Sequence, residues 1–367
     1  MKTPCYLYDS RGIFLTAKAW TTAFASYPTS IFYAVKANNH PQILKLLFNQ
    51  GFGADVVSMG ELIHCLKNGA SAKTILFSGV GKTDQEIEKA IRLKIHALQV
   101  ESEDEWERII YFSNKLKIPT RISLRINPDI EVKTNPYIAT GLYDTKFGID
   151  ERTAYKIANS TLKQPRLSLV GISCHLGSQI ESLAPFKKAA KRMCLFATKL
   201  KNIGSPIEFI NMGGGLGIQY QNENPPTVKA YAKTLIDELK KSGLKLYLEP
   251  GRSLVGKHGV LVTSVIRTKK SPQKNFCIVD AAMNDLIRPA LYGAYHEIVP
   301  KKKHTGPSLK YDVVGPICET GDFLGLQRKL PANLKRGDIL LIKDVGAYGM
   351  SMSSEYNMRQ KAKEYIK

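Results

Sequence analysis

Lys36 closes the apolar run of Ile31, Phe32, Tyr33, Ala34 and Val35, just before Asn38, Asn39 and the turn-forming pair His40-Pro41. An amine where a buried strand runs out has two readings. Its stem can lie along apolar surface with the charge in water, or it can be a desolvated nucleophile that attacks a carbonyl. Other polar residues recur at comparable places. Asp55 and Ser58 fall in or just after the run 53–58, Ser78 ends 74–79 and Asn127 ends 121–127. His175 and Ser178 end 169–177, Gly213 to Gly215 end 208–215, and Glu249 and Arg252 end 245–252. One polar group at one strand end means little. Several at the ends of successive strands are what a shared rim would give, and they favour the reactive amine.

The stretch "NMGGGLGI" (211–218) is either a tight turn or a phosphate cradle, since bare glycine backbone lets N–H groups approach an anion. It is not the dinucleotide GxGxxG opening a helix, nor a P-loop, because no GK[ST] follows. A reactive lysine together with a phosphate cradle suggests pyridoxal phosphate, which also needs a partner for its pyridine nitrogen. Glu249 in "LEPGRS" suits that place. A carboxylate keeps the ring nitrogen protonated and the ring a strong electron sink; an arginine would favour a weaker one. His175 has no second His or Cys at metal-ligand spacing, so a flat ring beside the cofactor is its better reading, and no metal is expected.

The elements that must position these groups follow from the period of the pattern. Eight short apolar runs (30–37, 53–58, 74–79, 96–100, 121–127, 169–177, 208–215 and 245–252) alternate with segments of helical spacing such as "PQILKLLFNQG" and "EDEWERIIYFSNKLK". Several of these segments end in Gly, as helices do. Unbroken apolar strands argue for parallel strands buried on both faces. Eight such units across residues 25–258 predict a closed (β/α)8 barrel, whose active site lies at the C-terminal ends of its strands; a doubly wound open sheet is the second choice. Beyond residue 258, "GVLVTSVIR", "NFCIVDA", "YDVVGPIC" and "DILLIKDVGAY" are β-rich. They predict an all-β domain over 259–367, joined by residues 1–24 through the strand-like "PCYLYD".

Among 367 residues, 53 Lys plus Arg against 32 Asp plus Glu leave a net charge of +21. The basic residues are scattered in pairs such as Lys187-Lys188 and Lys240-Lys241, without an aromatic-interleaved or helix-turn-helix motif. A solvated basic surface is therefore expected in place of a nucleic-acid site. No apolar run reaches the roughly 18 residues of a membrane span. Asp9 and Arg11 interrupt the segment a signal peptide would need. A cytoplasmic protein is the expectation. The cysteines at 5, 65, 174, 194, 277 and 318 form no CxxC and no zinc spacing, so reduced thiols are expected.

The motifs "FYAVKAN", "HLGSQI", "GGGLGI", "EPGRS", "DAAMNDLIRPALYGAYHEI", "GPICETGD" and "GAYGMSMSSEYN" occur in this order. Together they resemble the diaminopimelate decarboxylases, fold-type III pyridoxal-phosphate enzymes of the alanine racemase and ornithine decarboxylase superfamily, over residues 4 to 359. The resemblance implies that Lys36 bonds the cofactor covalently and that His175 stacks on its ring. Ser178, Gly213, Gly214, Gly215 and Tyr348 would hold its phosphate, and Glu249 its pyridine nitrogen. Asp55, Pro250, Gly251 and Arg252 complete the implied cofactor contacts. Arg252, Arg288, Tyr292, Glu319 and Tyr348 would contact the substrate. Cys318 would be the proton donor, contributed across a homodimer interface. The implied reaction converts meso-2,6-diaminopimelate to L-lysine and CO2, the last step of lysine biosynthesis. Its substrate carries an amino-acid group at its far end; two arginines can fork onto that carboxylate and Glu319 can take the ammonium. Ornithine decarboxylases usually place Asp directly after the cysteine, and they lack the "RPALY" arginine. Thr320 stands where Ser is usual and Asn135 where His is frequent. The rivals are a decarboxylase for carboxynorspermidine or ornithine, a non-catalytic cofactor-binding homologue, and a basic nucleic-acid binder.

Overall fold

The chain opens with β1 (Cys5–Tyr8), a strand that waits for partners more than 250 residues further on. The computed structural model describes residues 2–131 and 146–367; Asn135 lies outside the described residues. The chain divides into two units. One comprises Phe14–Gly217 and Pro225–Gly251, the other Met1–Ile13, Ile218–Asn224 and Arg252–Lys367.

The first unit is a barrel. Its strands are β2 (Thr29–Ala34), β3 (Gly53–Val56), β4 (Ile75–Phe77), β5 (Ala97–Val100), β6 (Thr120–Arg125), β7 (Leu167–Ser173), β8 (Phe209–Asn211) and β9 (Lys245–Leu248). Each pairs in parallel with the next, and β9 returns to β2 in the register Thr29↔Leu246, Ser30↔Tyr247, Ile31↔Leu248. These are the eight strands read from the apolar runs. Phe32, Leu76, Val170, Phe209 and Tyr247 fill the interior, with the Phe209 and Tyr247 rings stacked at 4.0 Å. The aromatics fit because glycine faces them. A Cβ on Gly53 would come within 2.5 Å of the Phe32 ring, and one on Gly171 within 2.4 Å of Phe209. This is a packed core, not a pore.

Helices separate the strands, and polar caps turn the chain into them at the rim. Thr83 Oγ1 accepts from Glu86 N while the Glu86 carboxylate accepts from Thr83 N, a reciprocal capping box. Ser58, expected near the site, is instead the cap of helix Met59–Lys67, its Oγ accepting from Glu61 N at 3.2 Å. Such a cap stabilises by about 1 kcal/mol. Asn127, likewise at the rim, accepts from Asp129 N and steadies the loop after β6. The helix Ser10–Phe24 packs Trp20 and Phe24 edge-on against Tyr231 of a barrel helix.

The second unit is a mostly antiparallel sheet. It contains β10 (Gly259–Lys270), β11 (Asn275–Val279), β12 (Ile298–Pro300), β13 (Ser308–Val314), β14 (Phe323–Pro331), β15 (Ile339–Lys343) and β16 (Lys363–Ile366). The order is β12-β15-β10-β11-β13-β14; β1 pairs antiparallel with β10 and parallel with β16. The N-terminal strand thus joins the β domain, as expected. The segment "YDVVGPIC" stops being a strand at Val314. The chain then turns, because the buried Asp322 carboxylate accepts from Ile317 N and Met283 N, each at 2.7 Å.

Candidate functional site

In the barrel, a chain of hydrogen bonds runs along the C-terminal strand ends. Lys36 lies past the end of β2, in the single helical turn Val35–Ala37. Its side chain is 43% exposed and its Nζ stands 3.6 Å from Asp55 Oδ2. The turn rests on the segment after β9. Ala34 N donates to Pro250 O at 3.1 Å, and a Cβ on Gly251 would press on Ala37 and Ala34 at 3.0 and 3.2 Å. Asp55 is 1% exposed and accepts from Ser78 Oγ at 2.5 Å. Ser78 Oγ accepts from Gln99 Nε2 at 2.6 Å, and the same nitrogen donates to Glu249 Oε1 at 2.6 Å.

Glu249 Oε1 also accepts from Asn211 Nδ2 at 2.5 Å, and Asn211 Oδ1 accepts from Gly213 N at 2.9 Å. Burial, then the Asp55 carboxylate, push the Glu249 carboxyl up to about 7 against the opposing pull of Lys36, Asn211 and Gln99. The barrel thus holds a carboxylate with one oxygen pinned by two amide donors. The donor Gln99 lies within a strand, and Asn211 ends one.

His175 follows β7. Its Nδ1 accepts from Gly214 N at 3.2 Å, so a neutral ring keeps its proton on Nε2. Burial, with the Arg125 and Lys36 cations, holds its pKa well below the ordinary value, so the ring is uncharged. Arg125 is set by Glu101, whose carboxylate also accepts from Gly79 N and Gly148 N. The glycine loop is tight. Gly213 takes φ +65°, and a Cβ on Gly214 would meet Glu249 O at 2.3 Å. The N–H groups of Gly213 and Gly214 are directed to Asn211 and His175. An anion grip by this loop therefore falls to Gly215 and the residues beyond it. An amine, a pinned carboxylate, a neutral planar ring and a glycine turn are a donor set that fits pyridoxal phosphate.

The β-domain unit carries a second cluster. Arg252 is 7% exposed and Arg288 5%. Arg252 Nη1 donates to Tyr220 OH at 2.8 Å, and its Cζ lies 5.0 Å from the Tyr348 ring centroid. Arg288 Cζ lies 4.8 Å from the Tyr220 ring. Arg288 opens the short helix Arg288–Tyr292, which Pro289 starts and Gly293, at φ +62°, ends. Tyr348 sits at φ +57°, a left-handed conformation uncommon for a non-glycine residue. Cys318 and Glu319 lie on the exposed turn between β13 and β14, where Cys318 N donates to Asn357 Oδ1 and Glu319 accepts from the Tyr356 hydroxyl. Ser178 and Tyr292 are half-buried.

A family model for the pyridoxal-dependent decarboxylases, pyridoxal binding domain, matches residues 11–256. A diaminopimelate decarboxylase of Vibrio cholerae is 46% identical over 99% of this chain and 87% of its own length. The chain belongs to the diaminopimelate decarboxylase family. The crystal structure of the Helicobacter pylori diaminopimelate decarboxylase complexed with L-lysine superposes with a TM-score of 0.97 at 41% identity, covering 100% of this chain and 92% of that one. The enzyme from M. jannaschii in co-complex with L-lysine gives 0.94 at 36%, covering 100% and 87%. Like other diaminopimelate decarboxylases, this chain is a pyridoxal-phosphate carboxy-lyase with a cofactor barrel and a β domain.

Within this family frame, the sequence reading missed Gln99, Asn211, Glu101, Arg125 and Tyr220. Gln99 is the one polar residue of the strand Ala97–Val100; that interruption of an otherwise apolar strand was its only signal. Tyr220 gave none, since it lies in a loop whose partners are distant in sequence. Among the described residues no helix is long and apolar enough to cross a membrane.

Proposed function

We propose that this chain decarboxylates meso-2,6-diaminopimelate to L-lysine and CO2 in the cytoplasm, as a homodimer. The observation that carries the substrate is the pair of buried arginines, Arg252 and Arg288, packed on tyrosine rings. A diamine-forming decarboxylase acting on ornithine needs no such pair. When bound, pyridoxal phosphate supplies the electron sink that makes loss of the carboxyl group feasible.

The protein's residues do the rest. Lys36 would hold the cofactor through its amine. Glu249 keeps a proton on the cofactor ring, and Gln99 and Asn211 keep Glu249 in place. His175 presents a flat, uncharged face. Ser178 and Tyr348 would hold the phosphate with the Gly213–Gly215 loop, where Gly213 and Gly214 shape the turn and Gly215 offers its N–H, while Asp55, Pro250, Gly251 and Arg252 would complete the cofactor's surroundings. Arg252, Arg288, Tyr292 and Tyr348 orient the substrate's distal carboxylate, and Glu319 takes its ammonium. Carbon dioxide leaves from the D-centre, and Cys318 of the second copy holds the proton that returns to that carbon. The exposure of Cys318 and Glu319 supports a role in another copy's site.

Turnover of meso-diaminopimelate, ornithine and carboxynorspermidine by the holoenzyme tests this reading. Diaminopimelate alone is expected to be consumed at an appreciable rate. Equal turnover of ornithine would overturn the assignment of the two arginines.

A further inference from the structure

His296 is fully buried beside Arg288 and has a single protonation state that satisfies both its neighbours. Arg288 Nη1 lies 2.9 Å from His296 Nε2, and His296 Nδ1 lies 2.9 Å from Lys343 O. A guanidinium only donates and a carbonyl only accepts. Nε2 must therefore present its lone pair and Nδ1 its proton, which is the neutral imidazole. Burial and the Arg288 charge, followed by Arg252 and Arg328, push its pKa down to about 3. The ring stands edge-on to Tyr220 at 5.4 Å, the ring on which Arg288 stacks and whose hydroxyl accepts from Arg252. The mount is rigid. Ile298 of β12 pairs with Ile342 of β15, and Lys343 N donates to Glu297 O. Among the described residues, Arg288 forms no ion pair.

We propose that His296 is a positioning and specificity residue that fixes Arg288 as an uncharged acceptor, so that the guanidinium meets the substrate's distal carboxylate with its charge uncompensated. The inference rests on the proposed role of Arg288. A carboxylate at position 296 would orient Arg288 equally well but would neutralise it. The substrate would then compete with an internal anion for the same donors. A neutral acceptor gives the orientation without the competition.

The test compares His296→Gln, which keeps a neutral acceptor and a donor, with His296→Glu, which adds the charge and gives up the donor to Lys343 O, both as holoenzyme. KM and kcat for meso-diaminopimelate are measured, together with calorimetric binding of pimelate, the same dicarboxylate skeleton without its amines. The glutamine variant is expected to stay within about 3-fold of wild type, and the glutamate variant to raise KM and the pimelate Kd by at least ~30-fold with kcat changed far less. Equal values for the two variants would overturn the proposal. If the glutamate variant does not accumulate folded, His296→Leu takes its place. Loss of the acceptor should then raise both constants by about 10-fold, and unchanged constants would overturn the proposal. Wild-type turnover tests the assigned reaction separately, because pimelate binding reports the arginine clamp without any chemistry.

Discussion

Gln99 Nε2 stands 2.6 Å from Glu249 Oε1 and 2.6 Å from Ser78 Oγ, joining the carboxylate at the end of β9 to the Asp55–Lys36 pair across the barrel rim. Two amide donors hold one oxygen of Glu249 while burial and Asp55 oppose its ionisation. The balance falls near neutral pH. The charge state of the group proposed to pair with the cofactor ring is therefore set in part by Gln99 and Asn211, which are not among the proposed cofactor contacts.

Gln99→Leu should show this directly. Its N–H favours the ionised carboxylate, so removing it raises the Glu249 pKa above about 7. The acid limb of the kcat/KM–pH profile should move to higher pH. Activity at neutral pH should fall by roughly 10-fold, from losing a hydrogen bond to a charged group. An acid limb that stays in place would show that Gln99 does not set this group.

Glu249→Gln should be inactive yet more stable than wild type at alkaline pH. With a folded pKa near 7 against an ordinary 4.5, the folded chain binds more protons than the unfolded one between these values. Wild-type stability therefore falls as pH rises through that window, and the glutamine variant escapes the loss. In protein stripped of cofactor, the variant should gain about 1–3 kcal/mol at pH 8 and nothing below the window. Thermal unfolding at the two pH values measures the difference; equal stability at both would contradict the raised pKa.

Asp322→Ala removes the acceptor for Ile317 N and Met283 N. Two buried donors lose their partner, so unfolding free energy should drop by about 2–4 kcal/mol in a denaturant titration. The turn carrying Cys318 and Glu319 should loosen, and kcat should fall further than stability alone explains at temperatures where the chain remains folded. Unchanged kcat would separate this turn from the chemistry.

The barrel was legible because its strands are buried on both faces and read as unbroken apolar runs, most of them ending in a polar residue. Lys36, His175 and Glu249 stood out for that reason. Gln99 did not, since its partners lie 21 and 150 residues away and their convergence exists only once the barrel closes. His296 was within a quoted motif, but nothing in "GAYHEI" reveals that both its nitrogens are committed. In the β domain, β16 was missed because "KEYI" is short and half-exposed. It pairs with β1, from the opposite end of the chain.

Coexpression of Lys36→Ala and Cys318→Ala tests the shared site. If each site draws Lys36 from one copy and Cys318 from the other, every mixed dimer has one intact site and one doubly damaged. Random pairing then restores roughly a quarter of wild-type activity, well above either variant alone. Verified mixed dimers without recovery would place both residues in one chain's site.

The most direct measurement follows the carboxyl group itself. Holoenzyme is given meso-diaminopimelate with heavy carbon in the carboxyl group of its D-centre, and both products are analysed by mass spectrometry and chiral chromatography. Labelled CO2 and unlabelled L-lysine are expected in equal amounts. Label retained in lysine, or consumption of the substrate without lysine formation, would contradict it.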